Sequence, residues 1–161
     1  MDAWPEPVGR VTAFLRQSAA EARVEEFETS AATAAEAAAA VGCEARAIVK
    51  SLLFDCDDGP VLALVPGDRR ADPKKVAVAA GVARARIAGP ERVQEVTGFA
   101  PGAVAPFPQP LVERVVIERT LLQHDVLWVG AGSDRHLAGL SPAELVRLSR
   151  AEAADLVRED G

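Results

Sequence analysis

Ala47-Ile48-Val49-Lys50-Ser51-Leu52-Leu53-Phe54, followed by Asp55-Cys56-Asp57-Asp58-Gly59-Pro60 and then Val61-Leu62-Ala63-Leu64-Val65, decides the fold. Two apolar runs of strand length around a segment of turn-forming residues predict a β-hairpin. The first run contains a lysine. On the two-residue period of a strand, Lys50 shares its face with Ile48, Leu52 and Phe54. An ammonium group on an apolar face costs desolvation unless a partner, a water-filled cleft or loss of its proton compensates. Two readings stand together. Either the strand lines a cleft in which Lys50 works, or it is short or at an edge, with the lysine head in water.

Outward from the hairpin, helical and strand signals alternate. Val11, Phe14, Leu15 and Ala19 are spaced for an amphipathic helix over Val8 to Ala22, and Arg23 to Glu28 reads as a short strand. Thr33-Ala34-Ala35-Glu36 is a capping-box signature opening an alanine-rich helix that Gly42 closes. Asp72-Pro73 opens a further helix closed by Gly81, Arg84 to Ala88 reads as a strand, and Pro90 to Thr97 forms a helix stopped by Gly98. Strands are expected over Leu111 to Ile117 and Val126 to Val129, and Ser141-Pro142 caps a last helix through Leu148. The mixture of hairpin and interspersed helices predicts an α+β fold: one compact domain over residues 1–161, with a mixed, largely antiparallel, curved sheet flanked by helices. Residues 1–22 form an N-terminal helical extension.

Composition narrows the function. The 161 residues are 49% hydrophobic, enough for one core and too short for two ordinary domains. No apolar run approaches the roughly 20 residues needed to cross a bilayer, and the N-terminus lacks a leader pattern, so a cytoplasmic protein without a membrane partner is expected. Cys43 and Cys56 are the only cysteines and match no zinc spacing, so neither disulfide nor metal is implied. The net charge of −6 argues against a protein that coats nucleic acid nonspecifically, and no DNA partner is expected. Charge is nevertheless uneven. Residues 1–44 hold eight acidic and three basic side chains, whereas residues 69–86 hold Arg69, Arg70, Lys74, Lys75, Arg84 and Arg86 against Asp72 alone. That segment is either a local surface for an anionic ligand or a solvated helix face.

Several chemistries fail on their motifs. Lys50-Ser51 lacks the glycine of a phosphate-binding loop and lies within a strand. No Gly-x-Ser-x-Gly elbow, His-Glu-x-x-His or zinc-deaminase motif is present. Gly130-Ala131-Gly132-Ser133 reads as a plain turn, and His124 as a structural residue at a strand start. His136 either faces a cleft or is an ordinary satisfied histidine. The loop from Gly98 to Pro110 combines Gly102 with Pro101, Pro106, Pro108 and Pro110. It is either a rigid connector or a segment whose amides are aimed at a ligand carbonyl.

Four blocks, in order, resemble the YbaK/ProX family of aminoacyl-tRNA deacylases, free-standing relatives of the editing insertion domain of bacterial prolyl-tRNA synthetase. They are Thr33 to Ala38, Ile48 to Phe54, Ala63 to Lys75 and Thr97 to Phe107. The resemblance runs from about Thr33 to Leu148. It implies hydrolysis, in trans, of the ester between a small mischarged amino acid, alanine or cysteine, and tRNA, with tRNA for proline as carrier and prolyl-tRNA synthetase as a candidate partner. It also implies Lys50 and Gly102 as catalytic residues. Ser51, Ala103, Val104, Pro106, Phe107 and His136 become substrate-binding candidates, Arg69, Arg70, Lys74 and Lys75 tRNA-binding candidates, and no cofactor is implied. In that frame Lys50 holds the terminal ribose or phosphate, amides near Gly102 to Val104 cradle the carbonyl, and water or a group of the substrate attacks. Gly102-Ala103 stands where the family commonly has two glycines, so the added methyl is expected to bear on pocket size. The alternative is a catalytically weak module that binds aminoacyl-tRNA or a synthetase.

Overall fold

A computed structural model of the chain describes residues 4–159. Its helices are α1 (Glu6–Gln17), α2 (Ala34–Val41), α3 (Pro73–Ala80), α4 (Pro90–Thr97) and α5 (Pro142–Ser149). Its strands are β1 (Ala22–Glu26), β2 (Ile48–Cys56), β3 (Gly59–Pro66), β4 (Ala85–Ile87), β5 (Arg114–Glu118), β6 (Leu127–Gly130), β7 (His136–Leu140) and β8 (Glu152–Ala154). All eight strands form one mixed sheet in the order β1-β7-β6-β2-β3-β5-β8, with β4 on β2. The fold is α+β. The pairs β1/β7, β2/β3, β2/β4 and β6/β7 are antiparallel, and β2/β6, β3/β5 and β5/β8 are parallel.

Local chemistry sets the element ends. Thr33 and Glu36 form the reciprocal capping box, Glu36 N donating to Thr33 Oγ1 at 3.1 Å and Thr33 N to Glu36 Oε1 at 3.2 Å. The helix they open ends where Gly42 turns left-handed at φ 77°. Asp72 caps α3 through Lys74 N at 2.9 Å. The hairpin is tighter than the sequence pattern suggests, because Cys56 pairs with Gly59 and leaves a two-residue turn. Helix α1 stops at Gln17, earlier than expected, where Ser18 and Ala19 leave helical geometry.

Strand β3 is buried on both faces, as its unbroken apolar run requires. Leu62 and Leu64 join Val49 and Leu53 in the main core, with Val11 and Leu15 of α1, Phe99, Phe107 and Leu145. Val61, Ala63 and Val65 face the other side with Phe54, Val76 and Ala80 of α3, and Leu156. A third cluster joins Ala37 and Ala38 of α2 to Ile48 and Leu137. On that side of β2, α2 therefore covers Ile48 and α3 covers Phe54. Lys50 and Leu52 fall between the two helices.

Strands β7 and β8 lie outside those expected from the sequence. His136-Leu137-Ala138-Gly139-Leu140 hides its period behind small residues, and β8 has only three residues, which pair in parallel with β5. His136 is consequently the first residue of a strand.

Candidate active site

The open edge of β2 creates the site. On the side away from β3, Ile48 and Val49 pair with β6, and Phe54 to Cys56 pair with β4. Between them, no strand among the described residues pairs with residues 50–53 on that edge. A cavity of about 210 Å³ occupies the fork. Its walls are residues 31–34 and Ala37 at the start of α2, residues 48–52 of β2, Gly102 and Val104 of the proline-rich loop, and Gly130, Ser133 and Leu137.

Lys50 is half-buried at this wall, and its Nζ donates to the Arg69 carbonyl at 2.6 Å. Burial pushes its ammonium below the ordinary lysine range, with Asp68 opposing the shift and Arg70 reinforcing it. The lysine lines a cleft, and its head is held by a backbone carbonyl rather than left in water. On the opposite face of the strand, Ser51 Oγ is shielded from solvent without a hydrogen-bond partner among the described residues.

Gly102 adopts φ +84°, and a Cβ there would meet the Ala32 methyl at 3.5 Å. Conformation rather than space requires the glycine. The Ala103 amide is occupied, donating to the Ala100 carbonyl at 2.9 Å, whereas the amides of Gly102 and Val104 make no hydrogen bond within the described residues. Behind the loop, a Cβ on Gly130 would lie 2.5 Å from the Val104 carbonyl, so glycine at the end of β6 lets the loop close on that strand.

Lys50, Ser51, Gly102 and Val104 thus meet at one cavity. Four other candidates do not line it. Ala103 is buried at 5% exposure, and its methyl is not part of the wall. Pro106 and Phe107 lie in the core, where the Phe107 ring stacks on Phe14 with centroids 5.4 Å apart. His136, 1% exposed, sits behind the wall: Nδ1 is 2.5 Å from Ser133 Oγ, Nε2 is 3.1 Å from Glu26 Oε2, and the Trp4 ring packs edgewise at 5.0 Å. The Nε2 contact has the distance of an ion pair without the alignment of a hydrogen bond. Burial lowers the imidazole pKa, and Glu26 opposes that shift.

The basic segment divides. Lys75 is bound internally, 3.1 Å from Asp155 Oδ1 and donating to the Val157 carbonyl at 2.7 Å. The Arg69 guanidinium donates to the Arg158 carbonyl. Arg70 and Lys74 are exposed, and Lys74 joins Arg84 and Arg86 around a separate cleft of about 540 Å³. Among the described residues no cluster of His, Cys, Asp and Glu could hold a metal ion, and no helix is long and apolar enough to cross a membrane.

Residues 28–148 match the model of the aminoacyl-tRNA editing domain, three quarters of the chain and every wall of the cavity. The chain belongs to the aminoacyl-tRNA editing domain family. This editing domain is therefore an aminoacyl-tRNA deacylase, a hydrolase of the aminoacyl ester. It is 35% identical over 127 residues to the uncharacterized protein YwhH of Bacillus subtilis strain 168, covering 78% of this chain and 80% of that one. It is 39% identical over 125 residues to the proline–tRNA ligase of Nitratidesulfovibrio vulgaris strain DP4, covering 76% of this chain and only 22% of the ligase. The multifunctional Ser/Thr-tRNA deacylase ProXp-y of Escherichia coli K12 is 29% identical over 153 residues, 92% of each chain. A crystal structure of a protein proposed as a trans-editing enzyme for prolyl tRNA synthetase superposes with a TM-score of 0.90 at 36% identity, covering 97% of this chain and 99% of that one.

The sequence pattern missed Gly130, Ser133 and the alanines before α2. Gly130 ends β6 and Ser133 follows in the turn to β7, and the composition of this stretch is that of any tight turn. Only the approach of the Val104 carbonyl distinguishes Gly130.

Proposed function

We propose that this editing domain acts in trans, as one cytoplasmic domain, to hydrolyse the ester of a small mischarged amino acid, alanine or cysteine, on tRNA for proline. The observation that carries the reading is the 210 Å³ cavity with Lys50, Gly102 and Val104 in its wall, where the Gly102 and Val104 amides make no hydrogen bond within the described residues. Ligand pockets for drug-sized molecules run from about 300 to 1,000 Å³. A smaller space lined by Ala31, Ala32, Ala34 and Ala37 suits an aminoacyl group of few atoms.

In this reading Lys50 leaves the Arg69 carbonyl to hold the terminal ribose or phosphate. The Gly102 and Val104 amides receive the charge that develops on the ester oxygen when water attacks. Losing one such donor typically lowers kcat by about 100- to 1,000-fold. The Ser51 hydroxyl gains its missing partner from the substrate's polar atoms. Exposed Arg70 and Lys74 contact tRNA phosphates, and prolyl-tRNA synthetase is the candidate partner that releases the substrate.

The test is release of amino acid from tRNA for proline charged with alanine, cysteine or proline, extended to seryl- and threonyl-tRNA because of the relative named for them. Selective release of alanine or cysteine supports the reading. Preference for the hydroxylated amino acids would reassign the substrate.

A further inference from the structure

The sequence contains no recognisable pairing of a nucleophile or water-activating group with a base, yet folding assembles one beside the cavity. Glu26 and His136 are direct cross-strand partners where β1 meets β7. Three residues before His136, the turn places Ser133 in the cavity wall, with Oγ 2.5 Å from Nδ1. We propose that Ser133, His136 and Glu26 form a proton relay opening into the cavity, in which the Ser133 hydroxyl takes the proton of the attacking water and His136 stores it. The inference rests on the deacylase reading and deepens it by naming the base.

Hydrogen-bond directions favour this arrangement. Arg135 N donates to Ser133 Oγ at 3.0 Å, so the hydroxyl hydrogen is directed elsewhere, and Nδ1 is the acceptor in reach. A neutral imidazole protonated on Nε2 presents a lone pair to Ser133 and its N–H side to the Glu26 carboxylate. Burial keeps the ring neutral against the influence of Glu26 and Asp134, while Arg135 supports the neutral form. Trp4 packs on the ring edgewise and helps fix its plane.

The step balances with water as the only co-reactant. Water oxygen bonds to the ester carbon as its proton passes to Ser133 Oγ and the serine hydrogen passes to Nδ1. The oxyanion faces the Gly102 and Val104 amides, and Glu26 stabilises the imidazolium. Collapse breaks the bond between the acyl carbon and the ribose oxygen, and the stored proton returns through Ser133 to that oxygen. Free amino acid and uncharged tRNA leave. Ser133 touches the reacting water and is a catalytic residue; His136 and Glu26 act through it and are positioning residues.

The experiment measures kcat, KM and the pH profile of deacylation for wild type, Ser133→Ala, Ser133→Thr, His136→Gln and Glu26→Gln, with thermal melts as folding controls. Ser133→Ala should lower kcat about 100-fold or more with KM nearly unchanged, as loss of general acid–base catalysis does, and Ser133→Thr should restore most of it. The wild-type rate should fall on the acid side as His136 protonates, and Glu26→Gln, which removes the charge favouring the protonated ring, should move that limb to lower pH. An active wild type with Ser133→Ala at full kcat overturns the relay and leaves the deacylase reading intact. A wild type inert toward every charged tRNA overturns the deacylase reading itself and the relay with it.

Discussion

Lys50 Nζ donates a 2.6 Å hydrogen bond to the backbone carbonyl of Arg69, which ties a cation of the cavity wall to the turn that leads into the basic segment. The bond satisfies the ammonium without neutralising it, so the cost of half-burying a charge remains. Because burial puts the folded pKa below the unfolded value, the unfolded chain binds the proton more tightly at neutral pH, and the charge there works against folding. Lys50→Met is therefore expected to keep or raise the melting temperature while abolishing deacylation. Differential scanning fluorimetry beside an activity assay checks this, and a fall of several degrees would make Lys50 a structural residue.

Gly130 tests the loop. Its missing side chain accommodates the Val104 carbonyl at a position where a Cβ would sit 2.5 Å away, against backbone that cannot simply rotate aside. Gly130→Ala should destabilise the fold by about 1–3 kcal/mol, the range for forcing extra volume into a packed site. It should also lower deacylation by moving the Val104 amide. Urea denaturation gives the first quantity and single-turnover hydrolysis the second.

Two adjacent lysines should behave differently. Lys74 is exposed beside Arg84 and Arg86, whereas Lys75 is held by Asp155 and the Val157 carbonyl. Lys74→Ala should weaken tRNA binding and reduce the steepness of its salt dependence, by close to one unit for one lost phosphate contact. Lys75→Ala should leave that slope unchanged and lower the melting temperature. Binding titrations at several salt concentrations distinguish the two.

The His136 environment predicts a pH-dependent stability. Its folded pKa lies below the unfolded value near 6.5, so below that pH the unfolded chain takes up a proton that the folded ring resists. Stability should therefore fall as pH drops from 7.5 toward 5.5, and His136→Gln should flatten this part of the curve. Melts of both proteins across that interval check the sign.

Much of this architecture is legible locally. The capping box at Thr33, the Asp72-Pro73 helix start and the β2–β3 hairpin each depend on a few neighbouring residues, and they form where the pattern puts them. Lys50 stands out because a strand's period exposes a charge on an apolar face. Other features depend on contacts between distant segments. The fork in β2 exists because β6 and β4 claim opposite ends of one edge, and neither strand's sequence encodes that choice. Pro106 and Phe107 share a loop with Gly102, yet the loop turns its aromatic ring onto Phe14 and its glycine toward Ala32. Glu26 and His136 are 110 residues apart in the sequence and adjacent only through β1/β7 pairing.

The most direct test of the central claim is the rate of amino-acid release from tRNA for proline charged separately with alanine, cysteine and proline, for wild type and Lys50→Ala. The account predicts rapid release of alanine or cysteine by the wild type, little release of proline, and loss of the activity in Lys50→Ala with tRNA binding retained. Rates equal to the enzyme-free control for all three, or rates indifferent to Lys50, would contradict it.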